Sequence, residues 1–364
     1  MSVVATGAGG FLGWHVRVLL HALGRDDVVA LPVGAAHDAD AAAAALSGAD
    51  RVLHLAGVNR GTDDEVHDGN VEFAEQLARA VRSASVPPRA VVFADSVQAG
   101  SDSPYGRGKR RAAELLAEAA SAVGAEFVDL RLPNLFGEHG RPFYNSVTAT
   151  FCHLLSRGET PTIDVDRELT LLHVQDAAAA LVGETNAAGM AARTRSLTVS
   201  ELLGRLRELS STYATGDLPD LVDDFDRDLF NTYRSFAFEV QPSHALTQNT
   251  DARGSFTEVV RSAGGGGQTS FSTTVPGVTR GQHYHRRKIE RFTVVDGTAT
   301  ITLRRLFHDE VVSLPVSGAA PVAVDMPTMW AHAITNDGDT MLTTLFWADE
   351  IFDPAAPDTV PETV

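Results

Sequence analysis

The chain has 364 residues, 44% of them hydrophobic and 21% charged, enough to bury the cores of about two domains. A formal net charge of -17 excludes nucleic acid and an anionic membrane surface as partners, so an anionic small substrate needs local arginines and backbone amides. The single cysteine, Cys152, excludes an internal disulfide and reads as a buried core thiol; with neither a signal peptide nor a membrane-spanning apolar run expected, the chain is assigned to a reducing cytoplasm.

From Ser2 to about Gly183 short apolar runs alternate with Ala-rich amphipathic segments: "SVVATG", "FLGWHVRVLLHAL", "DVVALPV", "ADRVLHLAG", "VEFAEQLARAVRSA", "RAVVFADS", "RGKRRAAELLAEAASAVG" and "AEFVDLRLP". Strand following helix in this way predicts a Rossmann-type, doubly wound parallel sheet covered on both faces. Thr198 and Glu201 predict a capping box opening the helix "SELLGRLREL". A polar, acidic connection, "TGDLPDLVDDFDRDLF", comes next. Beyond it, "GSFTEVVRS", "TSFSTTV", "ERFTVV", "TATITLRRL", "PVAVDM" and "TMLTTLFW" predict short antiparallel strands forming a barrel or sandwich, with a hairpin loop at Gly264 to Gly267. The domain boundary falls near residue 244, giving domains 1–243 and 244–364.

In the first domain Gly7, Gly10 and Gly13 stand between the first strand and its helix. Glycine there permits a tight turn and close approach of backbone to a pyrophosphate, and the helix N-terminus favours phosphate charge. The second strand ends "VVALPVG" without the acidic residue that would hold a ribose 2'-hydroxyl, which favours NADP over NAD. Tyr105 and Lys109 have Y-x-x-x-K spacing, one helical turn apart, so they share a face. A tyrosine there can give a proton to the alkoxide formed when hydride reaches a carbonyl, with the lysine ammonium expected to lower its pKa. Ser96, ending "AVVFADS", can hydrogen-bond the same oxygen.

With "LHLAG", which carries Ala56, and Asn70-Val71, these residues resemble the extended short-chain dehydrogenase/reductase family over roughly residues 1–240. The resemblance implies that Ser96, Tyr105 and Lys109 are catalytic and that Gly7, Gly10, Gly13, Ala56, Tyr105 and Lys109 bind NADPH. "RLPNLFG" looks like the family's substrate-side motif, with Arg131 and Asn134, and "LLHVQDAAAAL" like its strand-to-helix motif, with His173 and Asp176. The interval from Ser96 to Tyr105 is shorter than in most relatives.

In "GVTRGQHYHRRKIERFTVVDG", His283 and His285 are two apart, so on a strand they point to one face, where Glu290 and a later His332 can join them. The spacing Gly277-x5-His283-x-His285-x4-Glu290-x6-Gly297 matches the first cupin motif, and Pro327, His332 and Asn336 resemble the second, with Met329 in place of the usual glycine. Three histidines and a glutamate suit Zn, while Fe, Mn or Ni would also accept them. "NTDARGSFTEVVRS" is similar to a strand motif of cupin-type deoxysugar epimerases, which invert carbons beside a ketone; a structural pairing of Asp251 with Arg253 is the plainer reading. Tyr284 and Glu258 are the candidates for a proton-abstracting base.

The domain order with "RLPNLFG", "FYNSVTATFCH", "DARGSFTE" and the histidine segment resembles the bifunctional capsular-polysaccharide enzymes of the CapF type along nearly the whole chain. That resemblance implies a UDP-2-acetamido-2,6-dideoxy-4-hexulose substrate, bound in part by Arg131, Asn134 and Asn145. The cupin would invert carbon 3 and the reductase reduce the carbon 4 ketone to UDP-2-acetamido-2,6-dideoxy-L-talose, toward UDP-N-acetyl-L-fucosamine. A homodimer and bound Zn are implied as well. The logic is sound: a polarised carbonyl makes the adjacent proton removable, and reduction traps one epimer. The alternatives are a monofunctional 4-ketoreductase whose cupin is a structural, substrate-binding or dimerisation module, a redox-active metal site, and a first domain that binds NADP only as a scaffold or sensor.

Overall fold

The computed structural model describes residues 2–26, 28–264 and 266–364, so Gly265 of the expected glycine loop lies outside the described residues. The chain forms two compact units, Met1–Leu135 with Leu169–Leu197, and Phe136–Glu168 with Thr198–Val364.

The first unit alternates as its sequence predicts: β1 (Val3–Thr6), α1 (Phe11–Ala22), β2 (Val28–Leu31), α2 (Ala39–Leu46), β3 (Arg51–His54), α3 (Asp63–Ser83), β4 (Ala90–Ser96), α4 (Pro104–Val123) and β5 (Glu126–Leu132). These strands make a parallel sheet in the order β2-β1-β3-β4-β5. Successive strand residues face opposite sides. Val3, Ala5, Leu53 and Val92 therefore enter one core, and Val4, Val52, Val91 and Phe93 the other. After β6 (Asn134–Phe136) the chain forms α5 (Val147–Ser156) of the second unit, then continues as β7 (Glu168–His173), α6 (Val174–Val182), α7 (Ala187–Ala192) and β8 (Arg195–Thr198). β6, β7 and β8 form a small separate sheet. Burial pushes the Cys152 thiol up, as befits a core residue of α5.

In the second unit the predicted capping box opens α8 (Val199–Ala214): the Glu201 amide donates to Thr198 Oγ1 at 3.1 Å and the Thr198 amide to Glu201 Oε2 at 2.8 Å. The acidic stretch read as a connection holds in its second half the start of a helix, α9 (Asp224–Val240). Its Phe225, Leu229, Phe230, Tyr233, Phe236 and Ala237 are buried at helical spacing, a period masked by the aspartates between them. The strands β9 (His244–Ala245), β10 (Gln248–Asp251), β11 (Gly254–Thr257), β12 (Gln268–Thr274), β13 (Thr279–Tyr284), β14 (Glu290–Asp296), β15 (Thr298–Arg305), β16 (Val311–Ser317), β17 (Val322–Met326), β18 (Trp330–Asn336), β19 (Leu342–Ala348) and β20 (Val360–Pro361) follow. Apart from the β10-β11 hairpin, they form two five-stranded antiparallel sheets, β12-β19-β14-β17-β9 and β16-β15-β18-β13-β20. Phe292, Val294, Ile301, Leu303, Val324, Ile334 and Leu342 fill their shared core. On the opposite face of β14 and β17 from that core, Arg291 and Asp325, each 1% exposed at the side chain, pair at 2.7 and 2.9 Å.

Candidate functional site

The first unit places its glycines in the turn from β1 to α1. Gly7 has φ +69, and a Cβ there would stand 2.7 Å from the Ala56 nitrogen; one on Gly13 would stand 2.2 Å from the Gly7 carbonyl oxygen. The turn can thus press against the end of β3 only with glycine at both positions. Gly10 is the N-cap of α1, which has no side-chain cap and no acidic residue in its first turn, so its leading amides suit a phosphate. Thr6 Oγ1 accepts from the Leu55 and Ala56 amides at 3.2 Å each, leaving its own proton to donate to His54 Nδ1 at 2.8 Å. Asn70 fixes the next residues, donating to the Val58 and Val66 carbonyls at 2.6 and 2.7 Å. The "LHLAG" and Asn70-Val71 features are, physically, staples that hold this loop.

The short interval between Ser96 and Tyr105 is taken up by a 3-10 turn over Val97–Gly100 and by Pro104 at the first position of α4, capped by Ser103 Oγ, which accepts from the Gly106 amide at 3.0 Å. Lys109, one turn on from Tyr105, is 5% exposed; its Nζ donates to the Ala94 carbonyl at 2.7 Å and lies 4.2 Å from the centre of the Phe93 ring. Burial pushes this ammonium down to about 8, against the carboxylates of Asp95 and Asp129, which hold it up. The expected lowering of the Tyr105 pKa is not found. Burial raises it, the Asp95 carboxylate raises it further, and the neighbouring Ser96 works the other way. Lys109 is engaged by Ala94 and Phe93, and sequence reading missed the acid beside it.

Asp95 and Asp129 lie on neighbouring strands of the same sheet face, with the Asp95 side chain 1% exposed and Arg131 Nε at 4.0 Å from Asp95 and 3.7 Å from Asp129. Arg131, expected to meet substrate, thus sits by this acid pair. Asn134 donates to the Thr170 carbonyl at 3.3 Å, and Asp176 pairs with Arg193 at 3.3 Å. Asn145 belongs to the second unit, with φ 55.

The second unit brings His283, His285, Glu290 and His332 together: one ligand atom from each lies within 4.8 Å of the others. Glu290 Oε2 is 3.1 Å from His285 Nε2, 3.5 Å from His332 Nε2 and 4.0 Å from His283 Nε2. A bulge between Gly281 and His283 re-aims β13, and His283 lies opposite His332 on β18. The cluster fits a cation by its tautomers. His285 Nδ1 donates to the Asp358 carbonyl at 2.6 Å and His332 Nδ1 to the Trp330 carbonyl at 3.1 Å, which leaves each Nε2 lone pair turned inward. His332 Nε2 is buried. Burial and the neighbouring histidines push His283 down to about 4; burial likewise lowers His332. For Glu290 burial alone would raise the pKa, yet its close neighbours His285 and His332 hold it well below the carboxylate range. Three imidazoles and a carboxylate are a divalent-metal donor set.

Met329 occupies the usual glycine position at φ 62, fully buried, its amide donating to the His285 carbonyl at 2.7 Å. The left-handed conformation is why glycine is the common residue there. Of the candidate bases, Tyr284 is fully buried between the two histidines and Glu258 is exposed just past β11. Asp251 grips Arg253 across the β10-β11 turn, carboxylate to guanidinium at 3.1 and 3.2 Å, in agreement with the structural reading.

Residues 3–186 match the NAD dependent epimerase/dehydratase family, and residues 249–360 match the polysaccharide biosynthesis C-terminal domain. The chain is 33% identical to the UDP-2-acetamido-2,6-beta-L-arabino-hexul-4-ose reductase of Pseudomonas aeruginosa, over 99% of this chain and 98% of the relative. A shorter match, 29% identical over 31% of this chain and 81% of the relative, is to the spore coat polysaccharide biosynthesis protein SpsL of Bacillus subtilis. Among solved structures it resembles the capsular polysaccharide assembling protein CapF of Staphylococcus aureus, at 35% identity and a TM-score of 0.64 over 100% of both chains.

Proposed function

Because the chain belongs to the NAD dependent epimerase/dehydratase family, we propose that it is a two-site nucleotide-sugar enzyme of capsule-type polysaccharide synthesis. Its substrate is a UDP-2-acetamido-2,6-dideoxy-4-hexulose. The second unit inverts carbon 3, and the first reduces the carbon 4 ketone to the L-talose configuration. In this reading residues 1–243 are the reductase and 244–364 a cupin barrel, and the enzyme is a cytoplasmic homodimer.

The observation that carries the reading is the convergence of His283, His285, Glu290 and His332, a donor set for which a simple ketoreductase has no use. A divalent ion held there, Zn in this proposal, would supply positive charge to polarise a ketone oxygen. NADPH, cradled by Gly7, Gly10, Gly13 and Ala56, would supply the hydride. Ser96 orients the ketone oxygen, Tyr105 gives its phenolic proton to that oxygen, and Lys109 sets the local charge. Arg131, Asn134 and Asn145 are proposed substrate contacts.

The division of labour is tested by Tyr105→Phe, which removes only the phenolic proton. Reduction should fall by about 100-fold or more, the scale of one general acid, while proton exchange at carbon 3 persists. Loss of both activities in a folded variant would contradict it.

A further inference from the structure

The chain's last residues make contacts the proposed reaction does not explain. Asp358 has a left-handed backbone, φ 42, which an aspartate adopts at a cost, and its side chain is only 5% exposed. Its carboxylate accepts three successive backbone amides: Arg286 at 3.1 and 3.2 Å, Arg287 at 2.8 Å and Lys288 at 2.8 Å. The next amide, Ile289, donates to Asp349 at 2.8 Å. The link between His285 and Glu290 is thus held along its length by acids of the segment following β19. The same Asp358 turns its carbonyl to His285 Nδ1 at 2.6 Å. Beyond it β20 pairs with β13, Pro361 opposite His283, and Arg304 ties down Glu362 at 2.6 Å.

We propose that Asp358 is a positioning residue of the metal centre, holding His285 through its carbonyl and the span leading to Glu290 through its carboxylate. The inference rests on the reading of the four-residue cluster as a metal site. A carbonyl acceptor on Nδ1 fixes the tautomer and the ring plane, so Nε2 is presented as a ligand without reorganisation. The carboxylate fixes the spacing between two ligands five residues apart. Asp358 is not itself one of the four clustered residues.

The test uses the full chain, stripped by a chelator and titrated with Zn2+ against a chromophoric competitor, then with Co2+ read by its visible absorption. Asp358→Ala should weaken Zn2+ binding by about 10- to 100-fold, the usual scale for an outer-shell partner, and alter the Co2+ bands. Asp358→Asn, which keeps one acceptor oxygen, should fall between, and it carries the test if the alanine variant does not fold. A purely structural role would lower the melting temperature and leave both metal readouts unchanged; that result in a folded variant overturns the inference. If the parent chain binds neither ion, the metal reading itself falls, and the inference with it.

Discussion

Replacing Asp325 by alanine should cripple the second unit from its core outward. Asp325 accepts Arg291 Nε and Nη2 at 2.7 and 2.9 Å and the Tyr213 hydroxyl at 2.8 Å, all buried. Among the described residues the variant leaves Arg291 the Gly216 carbonyl, at 2.8 Å, as its remaining hydrogen-bond acceptor. An uncompensated buried charge costs about 3–5 kcal/mol, and a stranded hydroxyl adds about 1 kcal/mol or more. Against a typical stability of about 5–15 kcal/mol this is a large fraction. Arg291 follows Glu290 directly, and the two face Asp325 and Met326 on β17, so the loss should loosen the cluster around Glu290 as well. Urea unfolding followed by the fluorescence of Trp330 and Trp347 measures it. Replacing both partners, Arg291→Met with Asp325→Leu, should recover most of the loss, since an apolar pair escapes the desolvation cost. Burial alone would raise the Asp325 carboxyl, but the Arg291 guanidinium holds it well below the carboxylate range. Its contribution is therefore full above the unfolded value of about 4 and drains as pH falls through the folded one. A loss under about 1 kcal/mol for Asp325→Ala, the scale of an exposed pair, would refute the reasoning.

Two further predictions concern the first unit. Lys109 is pushed down to about 8 by burial and held up by Asp95 and Asp129, with His54 and Tyr105 the other titratable groups around it. Ketone reduction should decline above that pH, and Asp95→Asn should move the alkaline limb lower; an unmoved limb in an active variant would refute the assignment. Burial and Lys109 push His54 down to about 3, so between the unfolded value of about 6.5 and the folded one only the unfolded chain takes up the proton. Its stabilisation is complete above that window and is lost as pH falls through it. His54→Asn should flatten this acid slope in chemical unfolding, and an unchanged slope would contradict it.

The alternation of strands and helices in the first unit was legible because buried parallel strands are continuous apolar runs, and the Gly7 turn and the Thr198 cap have local signatures. The cluster of three histidines and Glu290 was legible because His283, Glu290 and His332 lie on strands and His285 directly follows one, at a fixed spacing. Less accessible were features that depend on which residues face each other in space. Asp95 and Asp129 are 34 positions apart in the chain, and only the register of β4 with β5 unites them. Arg291 in "ERFTVV" breaks a strand pattern whose explanation lies across the sheet in Asp325. The Asp358 contacts join this residue to a segment 70 to 72 positions earlier, and no local period announces them.

In the proposed reaction the cluster of His283, His285, Glu290 and His332 enolises a keto sugar. The most direct measurement incubates the protein, without NADPH, with a UDP-linked 4-keto-6-deoxy-N-acetyl sugar in deuterated water, with and without a chelator, and reads carbon 3 by NMR. The account predicts deuterium at carbon 3 that disappears with the chelator and returns on adding Zn2+. No incorporation in metal-loaded protein that still reduces the ketone once NADPH is supplied would contradict it.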